Sequence, residues 1–320
     1  MKPFDYRRVA NLQPVDQPGD RLIAGGTNLL DLMKLEVEAP RRLLDISRAG
    51  HDQITAHEGG LRIGALVTNA DCAADPRIRA DYPVLAKAIL AGASPQLRNK
   101  ATTGGNLCQR TRCQYFMATD TRCNKRQPGS GCDALQGVNR NHAVLGTSEA
   151  CIATYPGDMA VALTALDAGV EVLGQDGTRV IPVAEFHQLP GDDPARDNVL
   201  RDDEVITAVT LPEPAAGRQS YRKIRDRSSY AFALVSVAAV IELREGRFAR
   251  VALAFGGLAH KPWRDPQTEA VLTGRSPSPT LFDQAADALL AKAKGRGGND
   301  FKIALARRAL AAVLTEATEE

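Results

Sequence analysis

The chain has 320 residues, with 40 Lys plus Arg against 38 Asp plus Glu and a formal net charge of +2. This length exceeds one typical domain and suffices for two or three hydrophobic cores. The balanced charge gives no support for nucleic-acid binding, and no stretch approaches the roughly 20 apolar residues of a membrane-spanning helix. Residues 1–5 show neither an apolar signal core nor a twin arginine, so we expect any export to depend on a partner.

The first half of the chain alternates between strand and helix patterns. The predicted elements are strand, turn, helix and strand up to residue 46, a hairpin within 54–66 around Gly59-Gly60, a helix that starts at Asn69, and a helix within 82–93.

The second half predicts two groups of elements separated by a linker at 212–217, Pro-Glu-Pro-Ala-Ala-Gly. Before the linker we expect strands at 143–146 and 151–154, a helix at 158–167, a hairpin around Asp176-Gly177 and a strand within 201–211. After it, strands at 231–243 and 248–254 and a helical remainder at 278–318 predict an antiparallel sheet with helices on one face.

Residues 24–28, Ala-Gly-Gly-Thr-Asn, lie between an apolar run and a helix-like period. Small residues at such a position can expose backbone N–H groups beside a helix start, which together attract a phosphate. The pattern differs from the Rossmann fingerprint, because the two glycines are adjacent and no third one follows. Alone, such a double glycine more often marks an ordinary tight turn than a phosphate site.

A second turn of the same chemistry occupies residues 102–106, Thr-Thr-Gly-Gly-Asn. It follows the helical stretch that ends near residue 93. Two such turns in one chain suit a long ligand with a diphosphate and a polar ring system, which indicates a dinucleotide.

Six cysteines are present, and four of them fall between residues 113 and 151. A chain of this length without a secretory signal is atypical of a disulfide framework, yet no Cys-x-x-Cys pair exists either. Spacing therefore leaves a four-cysteine metal site, buried thiols and a disulfide all open. Clustered cations nearby would favour thiolates over thiols. The Pro-Gly-Ser-Gly run at 128–131 predicts a loop that encloses a bound group. Cys72, after a helix-start pattern, is expected to be an inert buried thiol.

Other catalytic patterns are missing from the sequence. The five histidines show no metal-ligand spacing and are interpreted as surface or packing residues, and neither a Gly-x-Ser-x-Gly elbow nor a pair of carboxylates stands out. Cofactor turns without an acid–base set are typical of an electron-transfer subunit.

With both turns in view, the chain resembles a known family: the FAD-binding subunits of molybdenum hydroxylases, of the xanthine dehydrogenase and carbon monoxide dehydrogenase type. The likeness runs the length of the chain. Its segments are 2–6 at the start, 24–29 and 101–107 for two flavin loops, 147–149 with 156–160 for a third flavin segment, and 221–227 with 230–233 for the start of a C-terminal domain.

The resemblance implies an α+β protein. Its FAD-binding fold would consist of two α/β subdomains of the PCMH or vanillyl-alcohol-oxidase-like type, followed by a C-terminal α+β domain with an antiparallel sheet and helices. The implied ranges are 1–50 and 51–213 for the two subdomains, 108–151 for a cysteine-rich loop within the second, and 218–320 for the C-terminal domain.

The resemblance also implies which residues hold FAD. Those expected at the diphosphate are Ala24, Gly25, Gly26, Thr27, Asn28 and Leu29; those at the second stretch of FAD are Thr102, Thr103, Gly104 and Asn106; those at its sugar or adenine end are Ser148 and Asp158. Lys223, more than Arg225, would reach a flavin carbonyl or phosphate. Tyr230 and Phe232 either stack near the flavin ring or are ordinary strand residues.

Most flavin subunits of the family lack the cysteine loop. Those similar to the aldehyde oxidoreductases or to 4-hydroxybenzoyl-CoA reductase carry one with four cysteines, which binds a [4Fe-4S] cluster. By that resemblance Cys113, Cys123, Cys132 and Cys151 are the ligands. Cys108, at the end of the second turn, is either a small packed residue or a substitute for one of the four. The cluster would relay electrons or only hold its loop together.

The implied function is electron transfer within a molybdenum-dependent aldehyde oxidoreductase. A large partner subunit with the molybdenum cofactor would oxidise an aldehyde with water to a carboxylic acid, and a small partner with [2Fe-2S] clusters would pass the electrons to FAD on this chain and on to an external acceptor. The implied location is the periplasm, by co-export with a signal-bearing partner, and otherwise the cytoplasm.

Three rival functions stay open. They are a subunit of a 4-hydroxybenzoyl-CoA reductase, in which electrons run in the opposite direction, a self-sufficient flavoprotein oxidase, and a zinc- or cluster-containing RNA-binding module.

Overall fold

The computed structural model of the protein describes residues 1–15 and 17–319. Its N-terminal part is a small parallel sheet with one helix. The elements are β1 (Asp5–Arg8), β2 (Asp20–Ile23), α1 (Leu29–Lys34) and β3 (Arg42–Asp45). β3 lies in the centre and pairs in parallel with both other strands. The crossover from β2 through α1 to β3 leaves the Ala24–Asn28 turn at the carboxyl end of β2, where the sequence pattern predicts it.

A five-stranded antiparallel sheet forms the second part. Its strands are β4 (Ile54–His57), β5 (Gly60–Gly64), β6 (Gly169–Gly174), β7 (Gly177–Pro182) and β8 (Val205–Leu211), in the order β4-β5-β8-β6-β7. The two predicted hairpins, β4 with β5 and β6 with β7, are both confirmed.

Within the described residues, eight helices, most of them short, accompany this sheet. They are α2 (Asn69–Ala74), α3 (Pro76–Asp81), α4 (Pro83–Ala91), α5 (Pro95–Arg98), α6 (Thr103–Leu107), α7 (Gln114–Met117), α8 (Asp158–Ala165) and α9 (Val183–Phe186). The Thr68 hydroxyl accepts a hydrogen bond from the Asp71 backbone N–H at 3.1 Å, so Thr68 caps α2 at the predicted helix start. All eight residues of α8 are buried, because this helix packs against helices α4, α6 and α9 and against the sheet of the C-terminal domain.

Segments 143–146 and 151–154, predicted as strands, form no strand in the structure, which describes both throughout. One bond joins them, from the Ala143 N–H to the Ile152 carbonyl at 2.8 Å. Val144 and Leu145 instead donate to the Leu258 carbonyl. Their backbone groups therefore tie the cysteine loop to the C-terminal domain and are not available for a ladder.

The C-terminal domain begins directly after the predicted linker. Its elements are β9 (Arg218–Ile224), β10 (Val235–Arg244), β11 (Arg247–Gly256), α10 (Pro266–Leu272), α11 (Pro279–Leu290) and α12 (Phe301–Thr318). The antiparallel sheet has the order β11-β10-β9 and carries α12 on one face. Its other face packs against α4 and α8, which explains the uninterrupted burial of Val235–Ile241 in β10. The expectation of helices on one face is therefore incomplete, because the preceding subdomain covers the second face.

None of the helices within residues 1–15 and 17–319 combines the length and the apolar character that crossing a bilayer requires.

Candidate functional site

The first small-residue turn joins β2 to α1 and presses against the start of the second turn. Gly26 has φ +70°, a conformation that favours glycine. A Cβ on Gly25 would overlap the carbonyl oxygen of Lys100. The two turns can therefore approach each other this closely only because residue 25 has no side chain.

Some residues of the second turn bond to the preceding segment of the protein, and others line the groove. Thr103 donates to the Val67 carbonyl through its N–H (2.9 Å) and its hydroxyl (3.1 Å), and the Gly104 N–H donates to the Ala65 carbonyl (2.8 Å). Both residues are buried against the segment that follows β5, so their donors are not available to a ligand. Thr102, Gly105 and Asn106 are the members of this turn that line open space.

A long groove runs between the two turns and continues to the C-terminal domain. We call its two adjoining cavities the narrow end, of about 220 Å³, and the wide end, of about 380 Å³. Thr27, Asn28 and Gly105 line both ends. The predicted residues at the narrow end are Ala24, Gly25, Gly26, Thr27, Asn28, Leu29 and Thr102, and those at the wide end include Asn106, Asp158 and Lys223.

Asn28 lies where the two ends meet, and half of its side-chain amide is unused. Its Oδ1 accepts from the Arg110 backbone N–H at 2.9 Å. Its buried Nδ2 has no hydrogen-bond partner among the described residues. Leaving such a donor unsatisfied costs about 1–3 kcal/mol, so this position favours a ligand that brings an acceptor.

At the wide end, Asp158 and Lys223 neutralise each other. The Lys223 Nζ donates to Asp158 Oδ2 at 2.8 Å, and the Tyr221 hydroxyl donates to Oδ1 at 2.5 Å. Burial, and then the adjacent carboxylate, raise the pKa of Tyr221 well above its ordinary value, so the phenol stays a donor. Because Lys223 also bonds the Ala91 carbonyl, the pair is held rigidly by α4, α8 and β9.

Tyr230 and Phe232 lie in the loop between β9 and β10, not in a strand as one of the two interpretations had it. Both line the wide end, where their side chains are half exposed. The Arg112 guanidinium lies 5.5 Å from the centre of the Phe232 ring. This loop therefore supplies the aromatic wall of the groove.

Two other candidates lie outside the groove. The Ser148 hydroxyl accepts from the backbone N–H groups of Ala150 (3.1 Å) and Cys151 (3.3 Å), so it shapes the turn before Cys151. Arg225 donates to the carbonyls of Ala91 and Ser228.

The four cysteines of the loop meet around one small cavity, which we call the cysteine cavity. Its lining includes Cys113, Cys123, Cys132 and Cys151, together with Tyr115, Phe116 and Lys125. Cys123 and Cys132 face each other across an antiparallel bridge. Cys108 lines the narrow end of the groove instead, and Cys72 is fully buried in the core.

Without a metal, burial makes Cys113, Cys132 and Cys151 poor nucleophiles. Burial raises the pKa of Cys113 to about 12 and that of Cys151 to about 11, and it also raises the pKa of Cys132. Backbone N–H groups oppose this shift, those of Phe116 and Tyr115 at Cys113 and that of Ala153 at Cys151. Amides that point at thiolate sulfurs are a common feature of iron–sulfur sites, and metal ligation removes the proton outright.

The cations of the loop act only in part as the sequence suggested: Lys125 acts against burial to lower the pKa of Cys151 and so favours its thiolate, but most bonds of these cations go to carboxylates and backbone carbonyls. Arg110 pairs with Glu38 and Asp197, both at 2.7 Å, and Lys125 pairs with Asp197 at 2.6 Å. Arg126 donates to three backbone carbonyls, those of Tyr115, Phe116 and Thr121. These groups therefore mainly order the loop, which contains only α7 and one turn of 3-10 helix although the structure describes it throughout.

No group of three or more His, Cys, Asp or Glu within the described ranges is spaced to hold a single metal ion. A tetrathiolate zinc site would need sulfur atoms about 3.8 Å apart, given Zn–S bonds of about 2.3 Å. A cubane cluster binds its thiolates through four different iron atoms and therefore holds them farther apart. The four thiols around the cysteine cavity therefore do not form a single-ion tetrathiolate site among the described residues.

Sequence reasoning missed three residues of the site. Asn69, expected only as a helix start, accepts from Asn106 Nδ2 at 2.8 Å and lines the wide end, as does Arg112. His142, expected at the surface or in packing, is buried with its Nε2 3.1 Å from Cys113 Sγ. The paired-glycine signal locates turns, but it cannot show which distant side chains fold onto them.

The sequence matches two family models that together span nearly all of it. Residues 2–214 match the FAD binding domain in molybdopterin dehydrogenase, and residues 219–317 match the CO dehydrogenase flavoprotein C-terminal domain. The chain therefore belongs to the FAD-binding subunits of the molybdenum hydroxylase family.

Curated relatives and solved structures agree with this assignment. The chain is 55% identical over 324 aligned positions to the aldehyde oxidoreductase FAD-binding subunit PaoB of Escherichia coli K12, with 99% of each chain covered. It is 26% identical to the putative xanthine dehydrogenase FAD-binding subunit XdhB of the same organism, with 98% of this chain and 95% of the relative covered. The fold matches carbon monoxide dehydrogenase from Hydrogenophaga pseudoflava with a TM-score of 0.76 at 24% identity, covering 99% of this chain and 97% of that one.

The geometry of the groove by itself fits FAD. At the narrow end, the first turn and the start of α1 can bind a diphosphate. Where the two ends meet, the side-chain amide of Asn28 has an unused donor, and the wide end provides an aromatic wall and the Asp158–Lys223 pair for a polar ring system.

Proposed function

We propose that the chain is the subunit of a molybdenum-dependent aldehyde oxidoreductase that carries FAD and a [4Fe-4S] cluster. The observation that supports it most is the coexistence of two sites, a groove built from paired small-residue turns and a separate cavity lined by four cysteines. The 55% identity to an aldehyde oxidoreductase subunit supports the substrate class.

In this proposal FAD supplies the redox chemistry, and the chain supplies binding and orientation. Gly25, Gly26, Thr27 and Asn28 hold the diphosphate, and Gly105 and Asn106 face the same stretch from the second turn. Thr103 and Gly104 support that turn from behind. Asp158 and Lys223, at the wide end beside Phe232, contact the ring system and not the sugar or adenine end.

The four cysteines Cys113, Cys123, Cys132 and Cys151 hold the cluster, which supplies one-electron transfer when bound. The backbone N–H groups near Cys113 and Cys151 stabilise the thiolates that the cluster requires. The proposed ligand set omits Cys108, because its side chain lines the groove and not the cysteine cavity. The proposed partners are a large subunit with the molybdenum cofactor and a small subunit with [2Fe-2S] clusters, and electrons leave to an external acceptor.

The proposed function is tested by an activity assay of the complex, purified with its neighbouring subunits. We expect oxidation of an aldehyde with water to the carboxylic acid, with an artificial dye as acceptor. Reduction of 4-hydroxybenzoyl-CoA with a strong reductant, without aldehyde oxidation, would favour the reductase alternative. The separated flavin subunit should not turn over alone, since the proposal assigns aldehyde oxidation to the molybdenum cofactor of the large partner.

Metal and flavin content test the alternative of another class. A zinc- or cluster-containing RNA-binding module would contain no FAD, whereas the proposal requires iron, sulfide and FAD in the same preparation.

A further inference from the structure

One histidine, His142, contacts a cysteine that lines the cysteine cavity, and the proposed function assigns this histidine no role. The Nε2 of His142 lies 3.1 Å from the Sγ of Cys113. Its side chain is buried, and its other ring nitrogen, Nδ1, makes no hydrogen bond of regular geometry among the residues that the structure describes, although a backbone group of Asn139 opposes the burial that lowers the pKa of the ring. The contact with sulfur is therefore the principal polar contact of this imidazole.

The C-terminal domain holds His142 in place from behind. The Lys302 ammonium, fully buried at the start of α12, donates to the carbonyls of Asn141 (3.1 Å), His142 (3.0 Å) and Gly257 (2.8 Å). Asn299 donates to the Ala143 carbonyl at 2.9 Å. A backbone fixed on both sides leaves the imidazole little freedom to move away from the sulfur.

Cys113, whose sulfur contacts His142, differs in location from the other three cysteines of the loop. Cys113 and His142 both line a third cavity, of about 230 Å³, between the cysteine loop and the C-terminal domain. This cavity shares Arg112, Asp158 and Phe232 with the wide end of the groove. Of the four cysteines, Cys113 is therefore the one that lies between the cysteine cavity and the proposed flavin ring site.

A hydrogen bond to this sulfur has a defined chemical effect. An iron-bound thiolate carries no proton, so the imidazole must be the donor and Nε2 must hold the hydrogen. An N–H donor stabilises negative charge on sulfur, and that charge is larger when the centre is reduced by one electron. Removing the donor therefore disfavours the reduced form and lowers the reduction potential.

We propose that His142 is a positioning residue that donates a hydrogen bond from Nε2 to the Cys113 thiolate and raises the reduction potential of the cluster at its flavin-facing ligand. This inference rests on the proposed function, because it requires a cluster on these cysteines.

The experiment compares the wild-type complex with His142→Leu, which removes the donor, and His142→Gln, whose amide N–H reaches a similar position. Iron, sulfide and FAD are quantified first, and each complex is then titrated anaerobically with dithionite and followed by electron paramagnetic resonance. We expect a lower [4Fe-4S] potential in His142→Leu, a potential nearer to wild type in His142→Gln, and unchanged FAD and [2Fe-2S] potentials in all samples.

His187→Leu is the matched control. That imidazole is also buried, but its Nε2 is paired with the Leu107 carbonyl at 2.9 Å instead of a thiol. Its loss should leave the cluster potential unchanged, so a shift of equal size in this variant would overturn the inference.

The remaining outcomes separate the two proposals. A wild-type complex without cluster iron refutes the cluster and the role of His142 together. A full iron content with an unchanged potential in His142→Leu refutes only the role of His142. If His142→Leu loses its iron, His142→Gln decides: a loaded cluster at the wild-type potential supports the donor role, and an iron-free variant overturns it.

Discussion

In the groove, two short turns form the walls with their backbone, whereas in the cysteine loop side chains from distant positions converge on a cavity. The groove depends on the absence of side chains, as at Gly25, and on amides held by strands and helix starts. The loop has almost no regular structure, and bonds from Arg126, Lys125 and Asn124 to backbone or carboxylate groups order it. Substitutions should therefore affect one cofactor at a time, unless they alter the residues that join the two regions.

The largest effect is expected at the cysteine loop. Cys123→Ser removes one proposed ligand, and we expect loss of most cluster iron with FAD retained. Cys108→Ser is the control, since its sulfur lines the groove, and it should keep the full iron content. Iron and flavin analysis of both variants measures this, and iron loss in Cys108→Ser with retention in Cys123→Ser would reverse the ligand assignment.

The same variant also separates the two roles of the cluster. If Cys123→Ser folds and binds FAD but no longer passes electrons to the external acceptor, the cluster is a relay. Normal turnover in an iron-depleted variant means that the cluster only stabilises its loop.

Gly25→Ala should give the next largest effect, on the groove alone. The added methyl overlaps the Lys100 carbonyl and forces the turns apart, at a cost of about 1–3 kcal/mol, so FAD should bind about ten- to hundredfold more weakly. Equilibrium flavin release, followed by fluorescence, measures this. Gly177→Ala, in an exposed hairpin turn with φ +105°, is the control for general destabilisation and should keep its FAD.

The groove and the cysteine loop differ in how much of their structure the sequence alone predicts. The Ala24–Asn28 turn and the hairpins are local features, so adjacent residues indicate them reliably. The convergence of Cys113 and Cys151, the contact of His142 with sulfur, and the inward bonds of Thr103 and Gly104 all depend on packing between distant segments. No spacing rule along the chain can show such contacts, and for this reason Ser148 was expected in the groove although it shapes a turn elsewhere.

Asp197 joins the two regions, so its substitution should affect both. It accepts from Lys125 of the cysteine loop and from Arg110, whose backbone N–H bonds Asn28 of the groove. Asp197→Asn leaves the buried Lys125 without a counter-charge and leaves Arg110 with Glu38 as its remaining carboxylate, and we expect a loss of about 3–5 kcal/mol in the free energy of unfolding. Asp176→Asn, at an exposed pair, is the control and should cost less than about 1 kcal/mol.

The stability that Asp197 provides should also depend on pH. Burial opposes ionisation of Asp197, but Lys125 and Arg110 hold the pKa of its carboxyl below the ordinary value. The contribution is therefore fully present above the unfolded pKa of about 4 and is lost as pH falls through the folded value. Urea unfolding should show a gap between wild type and Asp197→Asn that is constant near neutral pH and narrows in acid. A gap that stays constant into acid would contradict this role.

The smallest effect concerns the aromatic wall of the wide end. Phe232→Ala removes a ring contact worth about 0.5–1.5 kcal/mol, so FAD should bind about two- to tenfold more weakly while iron is unchanged. Phe301→Ala is the matched control and should keep its flavin affinity. The Arg140 guanidinium lies 4.9 Å from the centre of the Phe301 ring, as that of Arg112 lies 5.5 Å from the centre of the Phe232 ring. Equal flavin affinity in the two variants would show that Phe232 does not contact the cofactor.

The most direct test of two separate redox sites in this chain is the cofactor inventory of the purified complex. Electron paramagnetic resonance after dithionite reduction, combined with FAD, iron and sulfide analysis, should reveal one FAD and one [4Fe-4S] signal per chain, in addition to the [2Fe-2S] signals of the partner. A preparation with FAD but without a [4Fe-4S] signal, in which mass spectrometry finds Cys113, Cys123, Cys132 and Cys151 joined as disulfides, would contradict it.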